Sequence, residues 1–382
     1  MTDKDIPGQR ALKSVFRQMV DEDRVPHAML IHGVEGGSGL ALALYLVQTL
    51  ICEDKRGGEP CGDCAECVRA SSYAHPDIHY IFPVNGNKEV KKLEDRFSDS
   101  FMVEWREALK QNPYMPLTTW YQAIDIEKKS GFIGDAESTS LRRKLALKSF
   151  EGGYRVFVVW HADKMNASFA NKILKNLEEP TAKTLFVLVT ENPSRLLPTI
   201  ISRVQIFQED HLGEAELGRF IESKYGLSES DAMNVAFRAE GSLAQAIKEL
   251  EHQEDPWLAE FRDWMRMAYS RDMSGLFKWS ENMARRPRDS QRQFCNAALK
   301  VVDRCYRMGW MQVNIPLEGE DAKFFKDFSP FINTANVSGF LDLLEESAFH
   351  IERNVNEKTV WFDTSIQAIR LIHAGKKSAP TA

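Results

Sequence analysis

At 382 residues the chain is long enough for two or three domains, each with its own core. Hydrophobic residues make up 43%, charged residues 27% and aromatic residues 10%, a balance that excludes dominant disorder and predicts a soluble globular chain. A formal net charge of -6 excludes a protein that coats nucleic acid by charge alone, so DNA contact is expected to be local or borrowed from partners.

The polar, acidic opening lacks the basic stretch and apolar core of a secretion signal. The longest apolar run, residues 40–51, is too short to cross a bilayer, and the two features predict a cytoplasmic protein. Residues 28–32 predict a short strand that breaks into the Gly-rich stretch 33–39 and feeds a buried helix over 40–51. After a cysteine cluster, residues 84–135 lack clean periodicity, with aromatic islands around Trp105 and Trp120, and read as an insertion. A helix is predicted over 138–151, with Leu141, Leu145 and Phe150 along one side and Gly152-Gly153 ending it. Residues 156–160 predict a buried strand. The spacing of Phe169, Ile173, Leu174 and Leu177 makes an amphipathic helix over 166–179, capped by Asn166 and closed before Pro180. Residues 185–190 predict a second buried strand, and strand, helix and strand in alternation imply an α/β parallel sheet covered by helices. Beyond residue 210 the pattern is helical, over 214–224, 228–239, 242–251 and longer segments to 371, with a frayed tail at 375–382. The resulting division is an α/β domain over 1–210, a small helical domain over 211–272 and a larger helical domain over 273–382.

Cys52, Cys61, Cys64 and Cys67 form a C-x8-C-x2-C-x2-C pattern in a loop rich in Gly57, Gly58, Pro60 and Gly62. Four thiolates on such backbone can close a tetrahedron around zinc, and a closed shell leaves no position for substrate, so the predicted metal is structural. His75 and His79 compete as ligands, but lie beyond the loop and would leave a thiol unused. Cys295 and Cys305, on helix-like sequence, read as buried thiols.

The stretch from Gly33 to Leu40 has the placing of a phosphate-binding loop. A working loop reads G-x4-G-K-[ST], with amides around the phosphates, a Lys on the outer ones and a hydroxyl on magnesium. Counted from Gly33, with Gly36 inside the loop, the second glycine is Ser38, the lysine is Gly39 and the hydroxyl is Leu40. The frame survives without its chemistry, and no functional ATP binding is expected. The strand at 156–160 ends in Trp160-His161 rather than in acidic residues. Asp163 is expected to cap the turn that follows, and His161, with no placed partner, to be structural or exposed.

Pro26-His27-Ala28, the altered loop, the cysteine module, Ala74-His75-Pro76-Asp77, Val158-Val159-Trp160, residues 170–180 (ANKILKNLEEP) and residues 195–203 (RLLPTIISR) run in order through the first 210 residues. Together they resemble the delta prime family of the bacterial DNA polymerase III clamp loader. Residues 353–358 (RNVNEK) resemble the collar segment of clamp-loader subunits. The resemblance implies an AAA+ domain with a zinc module at 52–67, a helical lid over 211–272 and a collar over 273–382 that holds a hetero-pentamer together. It implies gamma/tau and delta subunits as partners, with the sliding clamp and primer-template DNA reached through the complex. Arg203 takes the place of an arginine finger acting in trans on a neighbour's nucleotide, with Val204 where the family has Cys. Ala244 stands where active relatives carry a nucleotide-sensing Arg, so no intrinsic ATPase is expected. Residues 84–135 resemble the extensions of long family versions. Two alternatives are an active gamma/tau-like ATPase, which needs a Lys and metal carboxylates that have no place here, and a zinc-dependent DNA-binding protein, which the acidic balance disfavours.

Overall fold

Runs of branched and aromatic residues with no polar face, such as Val156-Phe157-Val158-Val159-Trp160, are buried by covering a sheet on both sides. The computed structural model of the chain contains such a sheet. It describes residues 1–34, 36–147, 149, 152–250, 256–310, 319–353 and 355–378, and the chain divides into two units, Met1–Glu251 and His252–Ala382.

The first unit runs α1 (Arg10–Asp21), β1 (Ala28–His32), α2 (Gly39–Ile51), α3 (Ala65–Ser71), β2 (Ile78–Ile81), α4 (Met102–Gln111), α5 (Leu117–Ala123), α6 (Asp135–Ala146), β3 (Arg155–Trp160), α7 (Ala167–Glu178), β4 (Thr184–Thr190), α8 (Pro198–Ile201), β5 (Gln205–Gln208), α9 (Glu214–Tyr225), α10 (Glu229–Ala239) and α11 (Leu243–Leu250). The five-stranded sheet is parallel, in the order β2-β3-β4-β1-β5. This is the helix-covered α/β parallel sheet that the alternation of strands and helices implies. Alternate strand residues feed opposite cores. Met29, Ile31, Val156, Val158 and Trp160 meet α1, α2 and α9 to α11 on one face. Ala28, Leu30, Phe157 and Val159 meet Phe169, Ile173 and Leu177 of α7 on the other. The expected cap of α7 is present, with the Phe169 N–H donating to Asn166 Oδ1 at 2.7 Å.

Residues 84–135 are not peripheral. Trp105 and Trp120 are wholly buried. Trp105 stacks on Phe82 at 4.2 Å between centroids and meets Trp120 and Trp160 edge-on or tilted, both at 5.2 Å. The segment is closed on itself through Val84 with Phe132 and paired to the body through Ile133 with Met165. Its elements are too short for a helical period to emerge, which is why the sequence shows only aromatic islands. Strands β2 and β5 also escaped the sequence reading, being four residues each.

The helix expected over 138–151 is displaced. It begins at Asp135, with Asp135 and Glu137 in its first turn, and ends at Ala146. Arg155 ends it by donating to the carbonyls of Lys144, at 3.1 Å, Leu145, at 3.2 Å, and Leu147. Phe150 and Glu151 lie outside the described residues, as do Glu35 of the loop and Glu251 of the helix expected over 242–251.

The second unit contains α12 (Pro256–Ser270), α13 (Met273–Ala284), α14 (Arg288–Gly309), α15 (Gly319–Phe328), α16 (Val337–Glu352) and α17 (Glu357–Ser378). Trp264, Trp279, Phe294 and Trp361 make its aromatic centre. The indole N–H groups are satisfied by Ser365, Glu260 and Gln291. Thus α12, inside the 211–272 segment, shares the core of the helices that follow it. The tail expected to fray from residue 375 is helical through Ser378, with the Gly375 carbonyl accepting from Asn333 Nδ2 at 3.0 Å. Residues 379–382 and Asn354 of the collar segment lie outside the described residues. Among the described residues no helix is long and apolar enough to cross a membrane.

Glu137 joins α6 to residues 84–135. Its Oε2 accepts from both the N–H and the hydroxyl of Ser98, each at 2.7 Å, and the same hydroxyl accepts from Phe82 N–H at 3.0 Å. Burial pushes this carboxyl up from 4.5 to about 7 despite the Ser98 donors. A carboxyl raised on folding contributes stability that is full below its unfolded value and lost as pH rises through the folded one. Glu137→Gln removes the titration, so the melting temperature of the wild type should fall more than the variant's between about pH 5.5 and pH 8. Parallel melting curves across that range check this, and matched slopes would contradict it.

Candidate functional site

Cys52 follows the last turn of α2, and Cys64 caps α3 by accepting the Cys67 N–H at 3.4 Å. The N–H groups of Cys61 and Cys64 point at the sulfurs of Cys52 and Cys61, both at 3.3 Å. Gly58 and Gly62 make the required turns at φ of 80° and 83°. All four sulfurs lie within 4.8 Å of one another, with Cys52–Cys61 at 3.6 Å and Cys61–Cys67 at 3.9 Å. A tetrahedral zinc with bonds of about 2.3 Å spaces its sulfurs by about 3.8 Å, so the geometry fits. Burial pushes the Cys67 thiol up to about 12, so a cation is needed to hold four thiolates together. The cluster could therefore hold a metal ion.

Neither histidine competes. His75 Nε2 meets Glu66 of α3 and its Nδ1 accepts the Asp77 N–H at 3.1 Å, which commits both nitrogens. His79 packs on Phe157 at 4.9 Å, and burial pushes its pKa down to about 4. Cys295 and Cys305 are buried thiols of the second core, as expected. Glu59 ties the cysteine loop to the body, accepting from Arg17 of α1 and from the Tyr45 hydroxyl of α2, the latter at 2.9 Å.

The second site is the loop between β1 and α2, at the carboxyl edge of the sheet. Gly36, Ser38, Gly39 and Leu40 lie where the sequence put them, and Ser38 and Leu40 are buried. What the sequence reading missed is Glu209, the first residue beyond β5. Its Oε1 accepts from both the N–H and the hydroxyl of Ser38, at 2.5 and 2.6 Å. Burial pushes the Glu209 pKa up, and the Ser38 and Gly39 donors pull against that. The cavity left beside the loop is about 30 Å³, walled partly by Pro113, Tyr114 and Met115 of residues 84–135.

Asp163 caps no turn. Its Oδ1 accepts from Thr190 Oγ1 at 2.7 Å, joining the end of β4 to the residues after β3. His161 is buried with Nδ1 3.7 Å from Asp163, and among the described residues its Nε2 has no hydrogen-bond partner. Burial opposes the charged ring, yet Glu191 and Asp163 carry its pKa above the ordinary value. Ala244, at the start of α11, donates its N–H to the Gly36 carbonyl at 3.1 Å.

Arg203 follows α8 on a different edge, about a third exposed. Its Nε donates to Glu178 Oε1 at 2.6 Å, and its Nη1 to the Thr199 carbonyl at 2.8 Å and to Ser202 Oγ at 3.0 Å. An open depression of about 530 Å³ lies alongside, lined by His27, Leu177, Glu178 and Arg203 among others. Val204 packs against the second core of the sheet, as an apolar stand-in should.

A family profile described as DNA polymerase III, delta subunit, matches residues 8–212, residues 84–135 included. The chain is 31% identical to the DNA polymerase III subunit delta' of Bacillus subtilis over 196 residues, 51% of this chain and 45% of that protein. It is 26% identical to the Escherichia coli subunit delta' over 64% of this chain and 60% of that one. The Bacillus subtilis subunit tau is 22% identical over 65% of this chain and 37% of its own. The chain thus spans about half the length of the first of these relatives. A gamma subunit-related protein of Thermotoga maritima superposes with a TM-score of 0.38 at 14% identity, covering 94% of this chain and 99% of that one.

Purified without chelator, the protein should carry about one thiol-bound metal equivalent per chain, and Cys64→Ser should lose most of it with a lowered melting temperature. Elemental analysis alongside thermal melts checks both, and a metal-free wild type would remove the site.

Proposed function

Because the chain belongs to the DNA polymerase III delta-subunit family, we propose that it serves as the delta prime subunit of a clamp loader, neither binding ATP tightly nor hydrolysing it. The observation that carries this reading is the phosphate loop. Gly39 and Leu40 replace the lysine and the metal-binding hydroxyl, and Glu209 sets a carboxylate among the donors that a phosphate would use. Trp160 and Ala244 fill two further positions that nucleotide chemistry requires in active relatives. In this role the chain assembles with gamma/tau and delta subunits and helps place the sliding clamp on primer-template DNA. Helices α9 to α11 supply the lid, and α12 to α17, which share one core, the collar, so α12 moves from the lid expected over 211–272 to the collar expected over 273–382. The metal of Cys52, Cys61, Cys64 and Cys67 is zinc, held for structural reasons.

Arg203 is the proposed finger. Charge builds on a phosphoryl group in transfer, and a planar guanidinium offered from outside the site stabilises it in a way an ammonium does not. Its place at the border of an open depression, on a short helix end, supports a reach toward a neighbour.

Calorimetry of the isolated chain with ATP and magnesium should detect no micromolar binding and no turnover; either would overturn the non-hydrolysing reading. In a reconstituted clamp loader, Arg203→Ala should leave assembly intact and slow hydrolysis at the adjacent site by about 10³-fold or more. Arg203→Lys should also be defective. Wild-type DNA-stimulated hydrolysis and clamp loading by the Arg203→Ala complex would return this residue to an ordinary surface charge.

A further inference from the structure

Glu209 continues the pairing of β5 with β1, its N–H donating to the His32 carbonyl at 2.8 Å, so its backbone is fixed beside the loop. The carboxylate then turns into the loop and is only 8% exposed. Two glycines make the room. A Cβ on Gly33 would stand 2.0 Å from Glu209 Oε2, and one on Gly37 would stand 2.6 Å from Oε1. Ser38, whose N–H and hydroxyl both reach Oε1, is the residue before the first turn of α2, a helix of 13 residues. The carboxylate therefore sits at the positive end of a helix dipole, among backbone donors, where phosphates bind in related loops. A second bond runs from the same loop to α11, from the Ala244 N–H to the Gly36 carbonyl, and a Cβ on Gly36 would stand 2.6 Å from Ser242 Oγ.

We propose that Glu209 is a built-in anion for the phosphate loop, taking the place of a bound phosphate and, with the Gly36–Ala244 bond, latching α9 to α11 onto the loop without nucleotide. The electrostatics are reciprocal. A cluster of inward-pointing amides is costly without an anion, and a buried carboxylate is costly without donors. Each removes the other's penalty. A phosphate entering the loop would meet a like charge already seated there. The polypeptide itself joins the loop to the helices that follow at two points, because Glu209 begins the connection to α9 while Gly36 touches α11. Removal of the carboxylate leaves a site for an inorganic oxyanion, with no selectivity for a base.

The latch is tested by hydrogen exchange of the full-length, metal-loaded chain, read at the first turn of α2 and at residues 243–247, with inorganic pyrophosphate as the probe. Wild type should exchange slowly in both segments, with no response to millimolar pyrophosphate. In Glu209→Ala both segments should exchange about fivefold to tenfold faster, the size expected for losing a cap and the anion at a helix start. Pyrophosphate should restore protection in that variant alone, which a merely structural defect would not allow. If Glu209→Ala does not fold, Glu209→Gln, which keeps the shape and drops the charge, is read in the same way. Unchanged exchange in both segments, or a folded variant that pyrophosphate fails to protect, overturns the proposal. Failure of the latch in this exchange would leave the delta prime reading standing, because that reading also rests on Gly39 and Leu40 in the loop.

Discussion

Parallel pairing of β1 between β4 and β5 aligns His32 with Thr190 and with Gln208, and so gathers the carboxyl ends of three strands at one edge of the sheet. Everything at the loop follows from that register. Residues that leave those ends have nowhere to go but over the turn into α2. Thr190 reaches Asp163, Glu191 reaches the Gly36 N–H, and Glu209 reaches Ser38. Ligand sites in parallel sheets arise at this edge because strand ends and helix starts converge there. In this chain the same convergence lets the protein fill its own site.

The cysteine module solves a different problem. Helix α2 is apolar on nearly every face and buried along almost its whole length, so the chain must leave its end through a loop with little apolar content of its own. Cys52 starts that loop, and Cys61, Cys64 and Cys67 fold it back onto the start of α3. Glu59 holds it to α1 and α2, while the Glu66–His75 contact ties α3 to the residues leading into β2. A metal at the four sulfurs would close a circuit in which sequence-local ligands substitute for a hydrophobic core.

Legibility tracks sequence distance. The cysteine set and the Asn166 cap are local patterns, and their geometry is as the spacing implies. Glu209 lies 171 residues from Ser38 and sits in the polar run Gln208-Glu209-Asp210, which carries no mark of burial. Trp105 and Trp120 were visible as aromatics but not as core, since their helices of ten and seven residues show too little period to reveal a face. Asp163 was misread for a different reason, the sequence distance of its partner. Its partner is Thr190, a long-range choice that beats the local cap the sequence suggests.

Glu178 bears on what the proposed role asks of Arg203. A guanidinium intended for another subunit must be kept extended at the surface while that subunit is absent, and it must then leave at small cost. Glu178 ends α7, Arg203 follows α8, and both nitrogens on one side of the fork converge on a single carboxylate oxygen. The remaining nitrogen is held by Thr199 and Ser202 of its own turn. With Glu178 about half exposed and Arg203 about a third, water screens the pair, and exposed pairs of this kind contribute about 0–1 kcal/mol. Such a bond is enough to select a rotamer of a long side chain and too weak to compete with a polyphosphate, which offers each nitrogen of the fork its own oxygen and carries more charge. The interaction therefore suits a side chain stored for use elsewhere, whereas a buried pair in the same place would cost several kcal/mol to break.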